Sequence, residues 1–69
     1  MALAVLDGRL HPLTAWREAA GLTQSELARR AGIRIASVSD IEGGKTDPRQ
    51  STLKALAGVL GVSVGDLVP

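Results

Sequence analysis

Gly21-Leu22-Thr23-Gln24-Ser25-Glu26-Leu27-Ala28-Arg29-Arg30-Ala31-Gly32-Ile33 carries a helix with both of its ends marked. Thr23 and Glu26 have the spacing of a capping box: the hydroxyl accepts from a free amide of the first turn, and the carboxylate reaches back to another. Leu27, Ala28 and Ala31 fall on one stripe of the helix so started. Gly32 then stops it, because glycine enters a left-handed conformation without a side-chain penalty.

Working outward, Leu13, Trp16, Arg17 and Ala20 share one helical face after Pro12, a residue suited to the first helical position. A first helix is expected over 12–20, ended by Gly21, and a second over 24–31. Ile33 anchors the turn that follows. A third helix over 35–42 has Val38 and Ile41 as its core pair and stops at Gly43-Gly44. Lys45-Thr46-Asp47-Pro48 reads as loop, since Pro48 biases Asp47 away from helix. Leu53, Leu56, Ala57 and Leu60 mark a buried stripe on a fourth helix over 50–60, ended by Gly61. Ser63 and Asp66 offer a second capping box for a last helical turn that carries Leu67 inward. The expected fold is all-α: a compact, orthogonal bundle of five short helices. Two short amphipathic helices joined at Gly32 have the form of a helix-turn-helix.

The chain of 69 residues has room for one small core. Residues 11–69 are read as the helix-turn-helix domain and residues 1–10 as an N-terminal segment. The apolar run Met1 to Leu6 has two open readings: a cover for the bundle beside Trp16, or a contact with a second subunit. It is far shorter than a membrane span and lacks a secretory leader's basic start and cleavage site. With no cysteine, disulfides and thiolate metal sites are excluded, and a cytoplasmic protein is expected. Val62, Val64, Leu67 and Val68 suggest a second apolar surface that a twofold partner could cover.

Net charge is only +1, but between Arg29 and Lys54 six basic residues (Arg29, Arg30, Arg34, Lys45, Arg49, Lys54) face three acidic ones (Asp40, Glu42, Asp47). That balance permits nucleic-acid binding without requiring it. Gly44-Lys45-Thr46 echoes the end of a phosphate-binding loop, but position 39 is Ser where that loop needs Gly, and a helix precedes it. No serine, histidine and acid form a triad, and no metal-ligand cluster or cofactor motif is present. An enzyme is not expected. Trp16 reads as core, and His11 as a surface or capping residue.

Arg17-Glu18-Ala19-Ala20-Gly21-Leu22-Thr23-Gln24, Glu26-Leu27-Ala28, Ala31-Gly32-Ile33, Val38-Ser39, Ile41-Glu42, Gly44-Lys45, Pro48, Leu53, Leu60-Gly61-Val62-Ser63 and Leu67 together resemble the lambda-repressor/Cro-type, or XRE-type, helix-turn-helix family. The resemblance covers about residues 13–68. It implies a homodimeric domain that binds double-stranded DNA, with its third helix in the major groove. By position, Gln24 is implied to contact a phosphate, and Ile35, Ala36, Ser37 and Asp40 to face base edges. Lys45 and Thr46 are implied to touch the DNA backbone in the following loop, with Arg49 added as a further phosphate contact. Arg17 and Glu42 match a structural ion pair that joins the first helix to the end of the third.

This chain departs from the pattern at the start of the third helix. Arg34 stands where relatives often have a hydroxyl cap, so it is free to bond a guanine edge or a phosphate instead. Ile35 and Ala36 cannot donate hydrogen bonds and can read only a thymine methyl. The expected function is a transcriptional regulator, a repressor on a palindromic operator. Two alternatives stand beside it. His11-Pro12-Leu13 with Trp16-Arg17-Glu18, and no attached ligand-sensing module, fit an antitoxin that also binds a toxin protein. Ile35, Ala36 and Asp40 fit a module used only for protein contact.

Overall fold

The computed structural model describes residues 10–69. The readings placed on residues 1–9, including the apolar run Met1 to Leu6, lie outside the described residues. Four α-helices follow in order: α1 (Pro12–Ala19), α2 (Gln24–Ala31), α3 (Ile35–Glu42) and α4 (Gln50–Leu60). The fifth helical element is a four-residue 3-10 turn, Val64–Leu67, and not an α-helix. No strand occurs among the described residues.

Local chemistry accounts for most of the boundaries. The His11 Nδ1 atom accepts from the Leu13 amide at 3.0 Å and caps α1, with Pro12 in the first turn. Both capping boxes form. Thr23 Oγ1 accepts from the Glu26 amide and Glu26 Oε1 accepts from the Thr23 amide, each at 3.0 Å. Asp66 Oδ2 accepts from the Ser63 amide at the start of the 3-10 turn. Hydrogen bonding to the Thr23 amide, and then to its hydroxyl, holds the Glu26 carboxyl below the usual carboxylate range, and nearby Arg30 and Arg29 add to the effect.

All four α-helices stop in the same way. After each comes a glycine with φ near +70° (Gly21, Gly32, Gly44, Gly61), and the next residue donates its amide to the carbonyl five positions back. These bonds run from Leu22 to Arg17, Ile33 to Ala28, Lys45 to Asp40 and Val62 to Ala57. They satisfy carbonyls that the helix ends leave free. In three cases the residue after the glycine is apolar and half-buried against the core. Behind α3 it is Lys45, and it stays exposed.

The core consists of Leu13, Leu27, Ala28, Val38, Ile41, Leu53, Leu56, Ala57 and Leu67. α2 packs against both α3 and α4, α1 against α3, and the 3-10 turn against α1 and α4. Two expectations need correction. Trp16 is 41 % exposed instead of buried; Thr14 takes the inward place, at 8 %. The C-terminal apolar residues do not form one open surface: Leu67 is core, Val62 and Val64 pack against it, and Val68 alone is exposed.

Candidate nucleic-acid interface

Val38 and Ile41 turn one side of α3 into the core and so leave its other side outward. Ile35, Ala36, Ser39 and Asp40 are exposed along that outer side, and Arg34 is exposed just before it. Arg34 adopts an extended backbone at the cap position and makes no side-chain cap bond, which a donor-only guanidinium cannot supply. Ile35 is 50 % exposed, a large apolar side chain standing in water. Lys45, Thr46 and Arg49 are exposed in and just after the loop behind α3, which places every residue of the expected base-facing and backbone-facing sets except Ser37 and Gln24 on open surface.

Those two are placed differently. Ser37 is half-buried, rotated toward the core beside Val38, while Ser39 occupies the open face in its stead. The sequence does carry that signal, because Ser39 lies four positions after Ile35 and therefore on the same side of the helix. Gln24 is half-buried, and its Nε2 donates to Glu42 Oε1 at 3.0 Å. Its expected phosphate contact is left to the second N–H of the same amide, since an amide nitrogen carries two donors.

Glu42 is the hub that fixes how α3 is held. Arg17 Nε donates to Glu42 Oε2 at 2.7 Å, and Arg17 Nη2 donates to Oε1 at 3.2 Å. This is a two-pronged pair, which matches the planar guanidinium to the planar carboxylate. The side chains are 13 % and 7 % exposed, so water competes little for either partner. Arg17 Nη1 also donates to the Leu22 carbonyl oxygen at 2.8 Å. One carboxylate thus ties the last residue of α3 to α1 and to the first residue of α2. Burial pushes the Glu42 carboxyl up, but hydrogen bonds from Arg17, Gln24 and Thr14, with the charge of Arg17, outweigh it and hold the group below the usual range. The hydrogen bond to Glu42 raises the Arg17 guanidinium above its ordinary value against a smaller opposing effect of burial.

Beside this hub, Trp16, Leu10, Pro12, Ala15 and Ala19 line an open groove of about 880 Å³ that runs to Gly43 and Gly44.

Two short helices joined at a left-handed glycine, the second held outward by an ion pair beneath it, define a helix-turn-helix domain. The helix-turn-helix family model matches residues 13–67, and the chain belongs to that family. It is 38 % identical over 52 residues to the HTH-type transcriptional regulator DdrOP3 of Deinococcus deserti, covering 75 % of this chain and 40 % of that protein. It is 39 % identical over 56 residues to the immunity repressor protein of Bacillus phage phi105, covering 81 % of this chain and 39 % of the repressor. The uncharacterized HTH-type transcriptional regulator y4dJ of Sinorhizobium fredii is 42 % identical over 52 residues, covering 75 % of this chain and 68 % of the relative. The chain therefore spans about two fifths of the length of the first two relatives. No solved structure matches the chain significantly.

Proposed function

We propose that this chain is a DNA-binding transcriptional regulator, a repressor that acts as a homodimer on a palindromic operator. One observation carries the reading: the outer face of α3 is exposed, with the exposed cation Arg34 just before the helix and exposed Lys45 and Arg49 in and just after the loop behind it. A helix is the right width for the major groove, and cations beside it meet the phosphates that rim the groove. Two copies related by a twofold axis would set their α3 helices in successive major grooves about 34 Å apart.

Phosphate contacts from Lys45, Thr46, Arg49 and the free N–H of Gln24 supply most of the affinity in this reading. Arg34, Ile35, Ala36, Ser37 and Asp40 supply the discrimination, with Ser39 beside them. Asp40 accepts from a cytosine amine but repels phosphate, so it belongs over the middle of the groove. With so few cations in contact, the salt dependence of binding is shallow for this class. The names of the relatives, two transcriptional regulators and an immunity repressor, support the same reading.

A second reading has one observation in its favour. The exposed Trp16 beside an apolar groove is a surface that a protein could cover, as an antitoxin's toxin partner would. Electrophoretic shift with genomic fragments at low salt tests the main reading: a retarded complex supports it, and no retention overturns it. Copurification of a second small protein from the native host would favour the antitoxin.

A further inference from the structure

Among the described residues, three large apolar side chains are exposed: Trp16, Ile35 and Val68. Trp16 lines the open groove described above, and Val68 lines a smaller one near the C-terminus. Ile35 borders neither groove. It stands at the first position of α3, with exposed Arg34 before it and the short side chains of Ala36 and Ser39 beside it on the same face. It is the bulkiest group on the outward side of the helix. Leaving such a group in water forgoes the free energy of its burial. The face around it carries no other apolar side chain larger than Ala36.

We infer that Ile35 is a specificity-determining residue that reads the C5-methyl group of a thymine in each half-site. The inference rests on the DNA-binding reading and deepens it by naming a base and the group on it. Arg34 next to Ile35, with Lys45 and Arg49 in and just after the loop that follows α3, suits a polyanion, and the apolar group that the major groove of a polyanionic duplex offers is the thymine methyl. Ile35 can neither donate nor accept a hydrogen bond, so hydrogen-bonded readout of the facing base is excluded. Ala36 is too short to fill the same space alone.

The test begins with selection of bound sites from random duplexes. Each selected thymine is then replaced, one position at a time, by deoxyuridine, which lacks only the methyl. At one position per half-site the replacement weakens binding about fourfold, and about 15-fold when both half-sites are changed, from the burial of one methyl-sized group each. In the Ile35→Ala variant the same replacement has no effect, while the variant's circular dichroism stays as in the parent and its melting falls little, because the side chain is half exposed and outside the buried core. Selection of no duplex at all would overturn the DNA-binding reading and this inference with it. Selected duplexes that are indifferent to uracil at every position would overturn the inference alone. So would an Ile35→Ala variant that keeps the full uracil penalty, since the reader would then be another residue.

Discussion

Replacing Glu42 with alanine should be the most damaging single polar substitution in this domain. The change removes both acceptors of the Arg17 fork, at 2.7 and 3.2 Å, together with the acceptor of Gln24 at 3.0 Å. The arginine left behind is 13 % exposed and keeps only the Leu22 carbonyl and a distant contact with Glu18, 3.8 Å away. Removing one member of a buried pair typically costs about 3–5 kcal/mol. Because Arg17 retains the Leu22 carbonyl and some access to water, we expect a loss at or just below the bottom of that range, about 2–3 kcal/mol. In a domain of this size such a loss lowers Tm by about 10–20 °C. Thermal and urea denaturation at pH 7, followed by circular dichroism, measures it. The Arg17→Met, Glu42→Ala double variant should regain part of the loss, because no unpaired charge is then buried. A Tm shift of only a few degrees, or strictly additive losses in the two single variants, would refute the reasoning and show the pair to be solvated.

Further consequences follow from the same geometry. Since the folded state holds the Glu42 carboxyl low, its contribution to stability is complete above the unfolded carboxylate range and fades as acid protonates the folded group. The Glu42→Gln variant should therefore show a flatter loss of stability below about pH 4.5 than the parent, as urea midpoints against pH would show. Arg34 is extended and makes no cap bond, so Arg34→Ser should stabilise folding by about 0.5–1 kcal/mol while weakening DNA binding; an unchanged urea midpoint would count against this. Lys45→Ala should leave Tm unaltered and reduce the slope of log affinity against log salt by about 1 for each subunit bound.

The parts of the fold that were legible in the sequence are those set by local chemistry. Thr23 with Glu26, Ser63 with Asp66, and the glycines after each helix act within five residues of themselves, so spacing alone places them. The ranges 24–31, 35–42 and 50–60 are observed as expected for that reason. Trp16 departs from its expected burial because periodicity defines a stripe but not which edge of it meets the core. In α1, Arg17 must reach Glu42, which turns Leu13 and Thr14 inward and swings Trp16 out. The engagement of Gln24 with Glu42 spans 18 positions and depends on tertiary packing, so no local pattern announces it. The placement of the exposed face of α3 was recoverable: Val38 and Ile41 fix the inward side, and Ser39 then belongs outside with Ile35, whereas Ser37 does not.

Amide chemical-shift mapping with a selected operator duplex asks whether DNA lies on the outer face of α3. Perturbations should concentrate at Arg34, Ile35, Ala36, Ser39 and Asp40, and at Lys45, Thr46 and Arg49, with little change around Trp16 and Ala19. Perturbations centred on the Trp16 groove, with α3 silent, would contradict that placement.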